Sequence, residues 1–249
     1  GSLYYRFGYA PTLARSLAWE NRVGEDRVFA SDCINRVDGY HWADHGCVEG
    51  EPFTFVNFIH QERFRLTSDW FLGLRMPDGQ RPPIEDASFK RDNGGAIMAG
   101  ILNRPDLLWD WTHGGMNTGG GWNLDIQHLA YLPEEADFDD PVAPPTWRHR
   151  VQPAIGHAVF RSDWSDQAIW TMLIAEHGDA RTTLHDHVDS GSIQLHAYGE
   201  YLLMDTGYHK PNMLDNAITS QAPSHNVLLI DDEPVPEKGL ILDYGDADA

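Results

Sequence analysis

Between Leu132 and Pro145 the chain reads Leu-Pro-Glu-Glu-Ala-Asp-Phe-Asp-Asp-Pro-Val-Ala-Pro-Pro, and neither a helix nor an interior strand can continue through it. Proline has no amide hydrogen to donate and its ring clashes with the preceding turn. The stretch divides the chain into residues 1–131, a Pro-rich acidic linker over 132–150, and residues 151–249. Before the linker, Pro11 to Asn21, Phe53 to Trp70 and Gly94 to Leu102 carry apolar residues at helical spacing, which predicts a mainly helical part. After it the runs are short: Gly156 to Arg161, Ala168 to Ala175, Ser192 to Tyr198, Tyr201 to Met204 and Asn226 to Ile230. In Ser192 to Tyr198 every second residue is apolar, the period of a half-buried strand, and Gly199-Glu200 then makes a tight link. The second part is expected to be antiparallel β.

A chain of 249 residues with 41% hydrophobic residues has enough apolar surface for a substantial core. No apolar run approaches the roughly 20 residues that cross a bilayer, so no membrane span is expected. Lys and Arg total 18 against 38 Asp and Glu, a formal net charge of −20. That balance argues against nucleic acid as a partner, because no basic stripe is available to replace phosphate counterions. An acidic polymer would need a local cluster of Arg, His and Lys to overcome the overall field. Cys33 and Cys47 are the only cysteines, and pairing or two buried thiols are both open readings. The chain opens Gly1-Ser2-Leu3 without Met, so the lack of a signal peptide carries no information about location. Gly114-Gly115 and Gly119-Gly120-Gly121 lie among Trp109, Trp111 and Trp122, which suits either sugar stacking or a loop over a Trp-rich core.

Three short motifs carry the chemistry: His185-Asp-His187-Val-Asp189-Ser-Gly191, then Gly199-Glu-Tyr-Leu-Leu-Met-Asp205-Thr-Gly207-Tyr208, then Ser224-His225-Asn226-Val-Leu-Leu-Ile230. They put His and Asp at strand ends and turns of successive elements of one sheet, where the side chains can converge. Two imidazoles and a carboxylate with a fourth position open form a ligand set suited to zinc. His185 and His187, two apart, would project from one face of a strand.

In this order the motifs resemble the signature of the heparinase II/III-like polysaccharide lyases, of the heparin and alginate lyase type. The resemblance implies a partial (α/α) toroid followed by an antiparallel β-sandwich domain, and a divalent metal, expected to be Zn2+ with a mainly structural role, on His187, Asp205 and His225. It places His185 at the active-site cleft. Upstream, Gly156-His-Ala-Val-Phe-Arg161-Ser-Asp-Trp164 is similar to the first strand of the family's β-domain, and Met76-Pro-Asp-Gly-Gln-Arg-Pro-Pro-Ile-Glu-Asp86 to a toroid loop. Asp44-His-Gly-Cys-Val-Glu49-Gly-Glu-Pro-Phe53 resembles a segment whose last residue is a catalytic Tyr in the family. A phenyl ring cannot transfer the proton that a phenol can, so proton transfer falls to His185, with Tyr208 as second candidate. No match for the family's Asn-His pair is found, and the chain is shorter than a whole toroid plus β-domain.

The activity so implied is β-elimination on a uronic-acid-containing acidic glycan such as a glycosaminoglycan or an alginate-like polymer, in a periplasmic or secreted protein. Arg161 and Glu49 are the candidate substrate-binding residues, with Arg148 and Arg150 further guanidinium donors for a carboxylate or sulfate. Two other readings stand beside it. One is a catalytically silent carbohydrate-binding relative, favoured by Phe53; the other is a metal-dependent glycan hydrolase using an open zinc position to activate water.

Overall fold

The computed structural model describes residues 13–24 apart from 14, 28–32, 52–115 apart from 56, 86, 88 and 90–95, 133–176 apart from 154, 187–207, 218–231, 233, 239, 241 and 243. Among them the first part holds helix α1 over 15–23, α2 (Glu62–Gly73), α3 (Ala96–Ile101) and α4 (Pro105–Asp110). Leu13, Leu17, Ile59, Phe64, Leu72, Met98, Leu107 and Leu108 form their shared core. Among the described residues no helix is long and apolar enough to cross a membrane.

Strands β1 (Phe29–Asp32) and β2 (Pro52–Phe55) make an antiparallel pair within this part, where helix is expected. The start of the Phe53 to Trp70 segment is therefore strand, and α2 begins only at Glu62. Pro52-Phe-Thr-Phe55 suits a strand better than a helix, because Pro lacks a donor and the aromatic and β-branched side chains pack well on a pleat. Phe53 lies on β2.

Among its described residues the second part forms a five-stranded antiparallel sheet in chain order, β3 (His149–Gln152), β4 (His157–Arg161), β5 (Trp170–Ile174), β6 (Ile193–Ala197) and β7 (Glu200–Leu203). Two boundaries differ from the sequence reading. The edge strand β3 starts inside the 132–150 stretch, and Asn226 to Ile230 forms no strand, only an isolated bridge from Ile230 to Glu233. Gly156 joins β3 to β4 at φ +75°, where a Cβ would lie 2.0 Å from the Ala175 carbonyl oxygen, so any side chain would drive the connection off β5.

The two parts share a core. Leu74, Met76 and Ile84 pack on Val159 of β4 and on Trp170, Met172 and Ile174 of β5. The acidic stretch is itself packed: Phe138, Val142 and Trp147 lie against the helical core, and Trp164 donates from Nε1 to the Trp147 carbonyl at 2.8 Å. This anchoring holds the segment 74–85 over the inner face of the sheet, beside the ends of β6 and β7.

Candidate metal centre

His187, Asp205 and His225 lie together, each offering a ligand atom within 4.8 Å of the others. All three are buried, at 1%, 5% and 8% exposure. Three local structures deliver them. His187 precedes β6, in a segment fastened by Val188 N donating to the Ser220 carbonyl at 2.9 Å and Gly191 N to the Ile174 carbonyl at 2.7 Å. Asp205 follows β7, and its Oδ1 accepts the Gly207 amide at 2.9 Å. That turn needs glycine: Gly207 has φ +58°, and a Cβ there would sit 2.5 Å from the Ala87 carbonyl oxygen and 2.7 Å from Pro83 Cβ. His225 follows the 3-10 turn Ala222–Ser224, so the third element is a turn rather than the strand the sequence suggests.

Asn226 links these pieces. Its Nδ2 donates to the Met204 carbonyl at 3.0 Å, and its own carbonyl accepts Ile193 N at 3.2 Å. One residue past a candidate ligand thus binds the end of β7 to the start of β6. Nothing in the sequence marked it except a polar side chain opening an apolar run.

His225 Nδ1 donates to Asp205 Oδ2 at 2.7 Å, and the His187 and His225 ring centroids are 5.3 Å apart. Burial lowers the His225 pKa, but the Asp205 hydrogen bond and the Asp205 and Asp189 charges outweigh it, and the net direction is upward. Asp189, fully buried, is a second carboxylate beside the group that the sequence reading quoted but gave no role. The spacing of Nδ1 and Oδ2 is that of a charge-assisted hydrogen bond. The Nε2 of the same ring is buried and makes no hydrogen bond of normal geometry, although the Ser220 backbone lies close enough to contribute to the upward shift. Two imidazoles, one carboxylate and an orphaned buried nitrogen fit a borderline-soft divalent cation.

His185, Tyr208 and Glu49 lie outside the described residues, as do Cys33, Cys47 and Trp122. Arg161 has a different placement from the one a substrate-binding residue requires. It is 5% exposed, and its Nη2 donates to the carbonyls of Gly73 at 2.7 Å and Arg75 at 3.0 Å. The guanidinium stacks on Trp164 at 3.6 Å and serves the end of α2. Arg148 Nη1 donates to the Ser162 carbonyl, and Arg150 pairs with Asp69 at 3.3 Å. Trp109, a candidate for sugar stacking, is a core residue at 7% exposure, with Arg75 over one face and Trp164 against its edge.

No family model and no curated protein matches the chain. Solved structures do. The crystal structure of heparinase III aligns with 72% of this chain and 27% of its own, at 15% identity and a TM-score of 0.51. Over the aligned residues the chain shares the fold of part of heparinase III. Heparan sulfate lyase HepC from Pedobacter heparinus aligns with 67% of this chain and 23% of its own, at 18% identity and a TM-score of 0.49. The chain spans about a quarter of the length of the heparinase structures it matches.

Proposed function

We propose that this chain belongs to a polysaccharide lyase that cleaves a uronic-acid-containing acidic glycan by β-elimination, with Zn2+ held by His187, Asp205 and His225. The observation that carries the reading is the convergence of those three residues, drawn from three separate motifs, inside a fold similar to heparinase III. In the same reading the helices are a piece of an (α/α) toroid and the five-stranded sheet is one layer of a β-sandwich.

Elimination removes the proton on the carbon next to the carboxylate. A double bond forms from that carbon to its neighbour, the glycosidic C–O bond breaks, and the leaving oxygen takes a proton. His185 carries the proton in this scheme, since imidazole titrates near neutral pH, and Tyr208 is the second candidate. The ion, when bound, would tie together the three segments that carry His187, Asp205 and His225. Arg161, held on backbone carbonyls, supports α2 and leaves carboxylate neutralisation to other groups.

The test is a panel of heparan sulfate, chondroitin sulfate and alginate followed by ultraviolet absorbance of unsaturated chain ends. Absorbance should grow with the wild type, and His185→Ala should lower the rate by about 10²–10⁴ while zinc content is unchanged. Near-full activity in His185→Ala would remove the assignment. Phe53 at the family's Tyr position favours a second reading, a silent carbohydrate-binding relative. Wild-type inactivity on every glycan, with activity created by Phe53→Tyr, would select it.

A further inference from the structure

Three successive inward-facing positions on and just before β6, Ser192, Gln194 and His196, are polar and at most 1% exposed. Their neighbours on β5 facing the same way are Trp170, Met172 and Ile174, all fully buried, with Gln194 paired to Met172 and His196 to Trp170. A polar strip therefore runs beside an apolar one inside the same layer.

The strip is not satisfied by the protein. Ser192 Oγ, both amide atoms of Gln194 and Nδ1 of His196 are buried and have no hydrogen-bond partner. Leaving a buried donor or acceptor unmade is destabilising, and native interiors rarely keep several together. These atoms are already closed off from solvent by this chain's own residues, so a further domain, a second subunit or a glycan cannot reach them. Their partner must be small, neutral, and able both to donate and to accept.

We propose that the inner face of β6 is a hydration site, a file of about two or three bound water molecules serving Ser192, Gln194 and His196. The strip has defined ends. At one, His196 meets Tyr201 edge-on at 4.9 Å, and the Tyr201 hydroxyl donates to the Asp78 carboxylate, which also accepts Gln80 Nε2 at 2.8 Å. At the other, Ser192 N donates to the Asp189 carbonyl at 2.8 Å, in the segment that carries His187. Bound water along β6 would carry hydrogen bonding from His196, beside the half-exposed Tyr201 rim, to that segment, so the file would tie the sheet interior to the candidate metal centre.

Two measurements test it. Gln194→Met keeps the side-chain volume and removes the hydrogen bonding. If water serves the amide, the variant strands that water and should melt about 3 °C lower. A melting temperature equal to or above wild type means the amide was dry, and overturns the proposal. Should the variant fail to fold, diffraction from wild-type crystals at high resolution decides. Water density about 2.7–3.2 Å from the Gln194 amide and Ser192 Oγ is expected, and apolar contacts alone around Gln194 would refute the site.

Discussion

Among the described residues, the buried clusters around Asp110 and Asp205 differ in what they have left to offer. Around Asp110, Arg75 binds one carboxylate oxygen at 2.7 Å and Arg81 the other at 2.6 Å, while Arg161 caps the end of α2 nearby. Burial, with the charges of Arg75 and Arg81, pushes Arg161 down to about 9. Around Asp205 both oxygens are likewise taken, by Gly207 N and His225 Nδ1. The carboxylates are equivalent; the bases are not. A guanidinium has donors and no lone pair, so the Asp110 cluster can only close on itself. An imidazole that spends one nitrogen on a carboxylate keeps the other as an electron-pair donor, and His225 Nε2 is that atom. Burial of charge marks an anchor in one place and a candidate ligand site in the other, and the discriminating feature is an unspent lone pair.

The largest effect expected from this contrast is at Asp110. Replacing it by Ala leaves Arg75 and Arg81 buried without their counter-charge and should cost about 3–5 kcal/mol in urea unfolding. A loss below about 1 kcal/mol would mean that the cluster is no anchor.

A third histidine sharpens the comparison. His157 has both nitrogens engaged: Trp70 Nε1 donates to its Nδ1 at 3.0 Å, and its Nε2 lies 2.6 Å from Glu176 Oε1. Burial lowers its pKa from 6.5 to about 4 against the opposing charge of Glu85, and the Trp70 donor blocks protonation of Nδ1. The unfolded chain takes up a proton that the folded chain refuses. This contribution to stability is therefore complete above about pH 6.5 and is lost as pH falls toward 4, by about 3 kcal/mol in all. Urea midpoints of wild type and His157→Gln across that window should diverge in slope; parallel lines would refute the neutral His157.

The smallest of the three effects concerns the metal. At about 100 times its dissociation constant, Zn2+ should stabilise the wild type by about 2.7 kcal/mol, and His225→Ala should abolish that gain. A thermal melt indifferent to zinc and to chelator in the wild type would place the His225 cluster with the Asp110 cluster, as structure only.

Much of the sheet was legible before its geometry was known, because strands such as β6 state their period in alternating side chains; which face β6 buries was not, since Gln194 and His196 point inward and Ile193 is exposed. The three clustered residues were legible from motif order. What the sequence concealed has physical causes. β3 hides in a segment whose prolines and carboxylates disguise the four residues that follow. Asn226 to Ile230 has strand composition, yet Asn226 spends its backbone and side chain tying β6 to β7, and the run leaves the sheet. Arg161 read as a surface cation because local sequence cannot show that Trp164 and two helix-end carbonyls will enclose it.

The contact of Leu74, Met76 and Ile84 with β4 and β5 also bears on how the chain is made. Arg161 and Trp170 reach Gly73 across 88 and 97 residues of sequence, so the end of α2 leaves the ribosome long before the strands that cover it. Until then its apolar side chains are exposed on a nascent chain, where they can meet chaperones or other nascent chains. Closing so long a loop slows folding. Assembly of this junction is thus expected to be a late step in biogenesis, and slowing translation between α2 and β5 would lengthen the interval in which misassembly competes.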